Sequence, residues 1–126
     1  MQFYPQSALI KADAWSVLML WLALLSWLAA AIGILVVNPR LLEYWKHGIW
    51  VLVALTAIHI ILALLHRCPA CGKHPTLQGF STVHPESKGQ SRLGGWGGVV
   101  ANVLRNHQFL CIHCGTAFKV TQVGDT

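Results

Sequence analysis

Two uncharged apolar runs fill most of the first half of the chain, and a polar, glycine-rich second half follows them abruptly. From Ala14 to Val37, AWSVLMLWLALLSWLAAAIGILVV, there are 24 residues without a charge. A helix of about 20 such residues crosses the hydrocarbon core of a bilayer, so this run predicts a transmembrane helix with some tilt to spare. Asn38-Pro39-Arg40 then breaks the pattern. Residues 39–47, PRLLEYWKH, mix Arg40, Glu43 and Lys46 with Tyr44 and Trp45, which predicts a short interfacial turn with aromatic anchors. The second run, Gly48–Leu65, is 18 residues long and is interrupted only by His59. Backbone in lipid must satisfy its own hydrogen bonds, so both runs are expected to be helical. The pattern predicts a transmembrane hairpin over 14–66, with spans of about 14–37 and 48–66. Residues 1–13 are then a polar N-terminal lead, and 67–126 form a separate small domain on the same side as that lead.

A rival reading makes residues 1–31 a cleaved signal peptide with Ala29, Ala30 and Ala31 at the cleavage region. Two features oppose it. Asp13 offsets Lys11 in what would be the basic region, and the apolar run continues past the alanines and carries Trp15, Trp21 and Trp27.

The second half holds all four cysteines, in two Cys-x-x-Cys-Gly elements: Cys68-Pro69-Ala70-Cys71-Gly72 and Cys111-Ile112-His113-Cys114-Gly115. Two sulfurs separated by two residues reach one ion from a single tight turn, and the glycine lets the backbone curl toward them. Two such turns complete a tetrahedron, so Cys68, Cys71, Cys111 and Cys114 are expected to be the ligands of one closed metal site. In an oxidising compartment the same pairs would be disulfides or redox dithiols; the spacing and the glycines favour metal. Thirty-nine residues separate Cys71 from Cys111. Much of that interval, 73–98, is a loop-rich insert with Pro75, Pro85 and a run of glycines ending in Gly97-Gly98. Alternation over 107–111 and 116–122 predicts a strand on each side of the second element. Trp96, Val99, Val100, Val103 and Leu104 lie at helical spacing and predict one apolar stripe, with Asn102 and Arg105 turned away. That stripe is expected to cover the domain's own apolar face together with Phe80, Phe109 and Phe118. The alternative has it docking on lipid or a partner, with Arg92 and Arg105 meeting phosphate and Trp96 as the contact.

The two elements, the first with Pro after its leading Cys, resemble the zinc-ribbon and rubredoxin-like group of folds over about 68–122. The whole layout is similar to small bacterial membrane proteins in which two spans precede such a ribbon. The fold class expected is a membrane α-helical hairpin followed by a small zinc-ribbon-like α+β metal domain. The resemblance implies a structural Zn²⁺. Single iron in the same four-sulfur tetrahedron is the alternative; rubredoxins are typically acidic, whereas this domain is basic with a glycine-rich insert. His74, His84, His107 and His113 lie near the site, but four sulfurs already suffice, and His113 is expected to face solvent.

Charge adds direction. The chain has a formal net charge of +5, and four thiolates with one Zn²⁺ would leave about +3. That suits the anionic face of a cytoplasmic membrane and is too small to argue for nucleic acid alone. Arg40 and Lys46 lie in the connecting turn, against Lys11, Arg67, Lys73, Lys88 and Arg92 on the terminal side. This predicts a two-pass protein of the inner or cytoplasmic membrane with both termini and the metal domain inside, the reducing side that thiols also favour.

No catalytic constellation is visible. The acidic residues Asp13, Glu43, Glu86 and Asp125 are scattered, and none is expected to pair with a histidine. His59 inside the second span is a site candidate by its position, either hydrogen-bonded to Ser26 or to a backbone carbonyl across the hairpin, or holding a haem, a pigment or another subunit. Leu52, Thr56, His59, Ala63 and His66 share its helical face, and Ala29 with Gly33 offers a small-residue seam on the first span. The expected function is a non-catalytic accessory, assembly or scaffolding subunit of a larger membrane protein complex. The alternatives are a one-electron carrier with iron in the thiolate site and a membrane-tethered nucleic-acid binder.

Overall fold

The structure is a computed structural model that describes residues 2–79, 82–90 and 92–121. Its longest element is α1 (Ser7–Val37), which begins well before the uncharged run. The sequence ALIKADA offers nothing that breaks a helix. Its residues Ile10, Asp13 and Ala14, with Val17, fall at helical spacing and form the buried face. At 1.5 Å per residue α1 is about 46 Å long, against a hydrocarbon core of about 30 Å, so its first turns lie beyond any apolar zone it crosses.

The helix stops at Asn38, whose extended backbone (φ −154°, ψ 95°) precedes Pro39 and whose side chain accepts from the Arg40 amide. The return over 39–47, expected as a short turn, is helical along its length. Helical turns at Pro39–Leu41 and Lys46–Gly48 flank the one-turn α2 (Leu42–Trp45), and α3 (Ile49–Leu65) continues directly. Pro39 explains why: at the first helical position its missing N–H costs nothing and its fixed φ suits a helix. Ser7–Val37 and Pro39–Leu65 are both long and apolar enough to cross a membrane. They are clasped where α3 begins. Trp27 and Trp45 stack at 4.2 Å, and each indole N–H donates to the other's carbonyl, at 3.0 and 2.7 Å. Beyond that clasp no residue of α1 is fully buried: Ile32 and Val37 are 67% and 82% exposed. Ser26, Ala29 and Gly33 are exposed too, and a methyl built on Gly33 would meet no neighbour. The anticipated small-residue seam is therefore not a contact between the two helices.

At the other end the chain closes on itself. The strand β1 (Gln2–Phe3) pairs in parallel with β3 (Ala117–Lys119), which pairs antiparallel with β2 (Gln108–Leu110), giving the order β1-β3-β2. Residues 2–13 are thus part of the fold and not a lead. Phe109 faces Phe118 across the antiparallel pair, and Tyr4 meets both rings edge-on at 5.2 and 5.5 Å. The helix α4 (Gly95–Asn106) ends at His107, in the left-handed conformation (φ 55°). Val99, Val100 and Val103 of α4 pack with Ile10, Ala14 and Val17 of α1 into one core that also contains Ile112 and Val120. The stripe on α4 is therefore a core face. Asn102, expected on its outer side, is buried, with its carbonyl accepting from Asn106 at 2.6 Å. Phe80 lies outside the described residues. Two side-chain amides finish exposed backbone. Gln90 bonds both the N–H and the C=O of Leu110, as a neighbouring strand would, and Gln6 accepts from the Arg67 amide and donates to the Leu65 carbonyl.

Candidate metal centre

The two Cys-x-x-Cys-Gly elements fold into the same knuckle twice. In the first, the amide of Gly72 donates to Cys68 O, and the amide of Cys68 donates to Lys73 O, both at 2.8 Å. In the second, Gly115 donates to Cys111 O at 2.8 Å and Cys111 to Thr116 O at 3.0 Å. Both glycines sit at φ 74°, a region that a side chain disfavours, which is why glycine follows each second cysteine. Gly115 has a second constraint, because a Cβ there would enter the His84 ring. His84 is in turn held by its amide to Ile112 O at 2.8 Å.

All four sulfurs lie within 4.8 Å of one another. Cys68 Sγ is 3.7 Å from Cys114 Sγ, and Cys71 Sγ is 3.8 Å from Cys111 Sγ. A disulfide needs about 2.05 Å, so neither contact is one. A tetrahedron of sulfurs about 2.3 Å from a central ion has edges of about 3.8 Å. The four cysteines are thus close enough to hold one metal ion, and Zn²⁺ and single iron both fit this donor set. Burial pushes the Cys68 thiol above its ordinary value and the Cys111 thiol well above it. Burial also pushes Cys114 up, but hydrogen bonds from the Thr116 hydroxyl and backbone outweigh it and bring that thiol to about 7. A cation at the centre would stabilise all four thiolates together.

The nearby histidines are structural. Nε2 of His113 donates to the carbonyls of His74 (3.0 Å) and Leu77 (3.1 Å), so His113 pins the insert and does not face solvent as expected. Nδ1 of His74 donates to His66 O at 2.9 Å. Arg92 and Arg105 are exposed and line a shallow hollow with Gln90 and Asn102. Trp96 is half-buried, 6.1 Å from Trp21 and stacked on His59 at 5.3 Å.

Beside the knuckles lies a buried polar group that sequence reasoning missed. Asp13, fully buried on α1, accepts from Nδ1 of His59 at 2.5 Å, from Nε2 of His66 at 3.1 Å and from the Thr76 hydroxyl at 2.5 Å. The expectation that no carboxylate pairs with a histidine is thereby corrected, and His59 bonds Asp13 rather than Ser26. Tyr4 Oη lies 2.9 Å from Arg67 O and 3.1 Å from His66 Nδ1. A carbonyl only accepts, so the Tyr4 hydroxyl donates to Arg67 O, with His66 Nδ1 against the tyrosine oxygen. His66 thus bridges Asp13 and Tyr4 through its two nitrogens. Burial and the charges of Cys68 and Cys111 push the Tyr4 hydroxyl well above the usual phenol range, so it stays protonated. One signal was available: Asp13 shares helical spacing with Ile10, Ala14 and Val17, which puts a charge on an apolar stripe. No family model, no curated protein and no solved structure matches this chain.

Proposed function

We propose that the protein is a membrane-anchored, non-catalytic zinc-ribbon-like protein that serves as an accessory or assembly subunit of a larger membrane complex. One observation carries this reading. A closed four-sulfur site sits beside a helical hairpin whose far half buries almost none of its own apolar surface. A metal with four protein sulfurs has no open position for substrate, so its work is to hold a small domain together. Large apolar surfaces such as those of Leu25, Ile32 and Val37 are stable in lipid or against a neighbouring helix, and are costly in water. The N-terminal residues support an uncleaved first span, since Asp13 bonds both His59 and His66 and Tyr4 bonds His66. In this reading both termini and the metal domain lie on the cytoplasmic side, where thiols stay reduced.

The test is purification from native membranes in mild detergent, with mass spectrometry of what accompanies the protein and analysis of its metal. A stoichiometric membrane partner and a colourless zinc protein are expected. A protein that emerges alone with the colour of ferric thiolate would overturn the reading in favour of a one-electron carrier.

A further inference from the structure

His59 is 92% buried by its side chain, which is 8% exposed, yet only one of its nitrogens is used. Nδ1 donates to Asp13. In the imidazole tautomer that this bond selects, Nε2 is the nitrogen that carries the lone pair. Among the described residues Nε2 has no hydrogen-bond partner. His59 lines a cleft of about 450 Å³ together with Thr56, Ile60, Thr76, Gln78 and Trp96. Trp96 stacks on the imidazole and, with Asp13, fixes its plane. The cleft is therefore lined by an imidazole that has one nitrogen without a partner among the described residues.

Its chemistry narrows the occupant. A lone pair takes a metal cation or a hydrogen-bond donor. The four cysteines are the one set of three or more histidine, cysteine, aspartate or glutamate ligands found close together among the described residues, so His59 has no companion set for a metal. Among the described residues no Lys, Arg, Asp or Glu lines the cleft, and Asp13 stands behind the imidazole, so a phosphate or carboxylate would lack a counter-ion there and meet a negative charge. His59 lies about 10 Å along the helix from His66, and Ile60 and Ile61 beside it are 42% and 58% exposed on the apolar outer face. The mouth therefore adjoins the surface that the hairpin offers to lipid.

We propose that this cleft binds a neutral, hydroxyl-bearing amphiphile, whose hydroxyl donates to Nε2 of His59 while its hydrocarbon lies against Trp96 and Ile60. A diglyceride, an isoprenoid alcohol and a long-chain hydroquinone share this chemistry. The inference rests on the membrane reading only for the ligand's route of entry. Binding in detergent tests the cleft, and partner purification tests the subunit role, so the two fail separately.

The experiment uses the full-length, metal-loaded protein in detergent, labelled with ¹⁵N-histidine. It is titrated with dioctanoylglycerol, farnesol and reduced decylubiquinone, and with farnesyl methyl ether and oleate as controls. Saturable binding of at least one hydroxylated probe is expected, with a shift of the unprotonated His59 Nε2 resonance; the tightest probe names the source. The ether and oleate should bind at least about tenfold more weakly, the loss of one hydrogen bond to a buried acceptor. His59→Asn keeps a donor for Asp13 and removes Nε2, so it should lose the hydroxyl preference. Ile60→Trp, at an exposed position, should block the mouth while leaving the Asp13 bonds in place. Equal binding of the alcohol and its ether, a protonated Nε2 in the free protein, or no saturable binding by any of the three hydroxylated probes would overturn the proposal.

Discussion

Replacing Asp13 tests whether the hairpin and the cysteine module are one folding unit. Asp13→Ala removes a carboxylate that is 0% exposed and leaves three buried donors, from His59, His66 and Thr76, without an acceptor. Breaking a buried ion pair by removing one partner costs about 3–5 kcal/mol, because the other charge stays behind in a low dielectric. Asp13→Asn keeps the shape and one acceptor but places an amide N–H against a donor, and should cost about 2–3 kcal/mol. For a cooperative unit of this size the alanine change corresponds to roughly 10 °C or more in melting temperature. The assay is near-ultraviolet circular dichroism of the zinc-loaded protein, at fixed protein, detergent and metal concentration, since bound metal itself raises the melting point. Ser26→Ala is the control, because Ser26 is exposed. A cycle combining Asp13→Asn with His66→Gln should give strong coupling between the two sites. Melting of Asp13→Ala within about 2 °C of the parent would refute the reasoning, because a carboxylate holding this group together cannot be lost so cheaply.

The knuckles offer further tests. Gly72 and Gly115 share φ 74°, but only Gly115 has a ring where its Cβ would go. Gly72→Ala should cost about 1–2 kcal/mol from the backbone alone and Gly115→Ala clearly more, read as faster loss of metal to a chelator; equal rates would contradict the crowding by His84. In metal-free protein near pH 7, iodoacetamide should label Cys114 first, since its thiol is lowered to about 7 while burial raises Cys68 and Cys111. The sign follows from linkage: the lowered Cys114 stabilises the metal-free fold at pH above its ordinary value and loses that contribution as pH falls through about 7. Uniform labelling of the four cysteines, followed by mass mapping, would contradict this order. X-ray absorption at the metal edge should report four sulfurs at about 2.3 Å, with one replaced by a lighter atom or lost in Cys71→Ser; a nitrogen or oxygen in the parent shell would exclude the all-cysteine site.

What could be read from sequence divides by how local its cause is. The knuckles were legible because two residues between cysteines and a glycine after them nearly determine a turn. The α4 stripe was legible because Trp96, Val99, Val100 and Val103 repeat at the helical period. Tyr4 and Gln2–Phe3 were not, because a two-residue strand carries no period and its partner lies more than a hundred residues away. Asp13 was misread for a different reason. A charge beside an apolar run normally marks where the run ends, and only His59, His66 and Thr76, distant in sequence, turn it into a buried anchor. Asn102 and His113 failed likewise: each is polar, each would ordinarily face water, and each is held inside by backbone or side-chain groups that no local pattern announces.

The same buried group answers a question that the apolar runs leave open. Two helices rich in leucine, isoleucine and alanine have little to fix how far one slides along the other, since many registers bury similar surface. Here two polar clasps act at opposite ends. Asp13 meets His59, and Trp27 meets Trp45. The interval from Asp13 to Trp27 is 14 residues, and so is that from Trp45 to His59. At 1.5 Å per residue each is about 21 Å, and fourteen residues are close to four turns, so both clasps fall on one face at one spacing. An antiparallel pair satisfies both in a single register. A slip of one turn, about 5.4 Å, would leave Asp13, His59 and both indole N–H groups unpaired together. Buried polar groups have their best-attested role in this kind of specification. The group that sets the register also commits Nδ1 of His59 to Asp13 beside the cleft that His59 lines, so the alignment of the hairpin and the orientation of that imidazole have one cause.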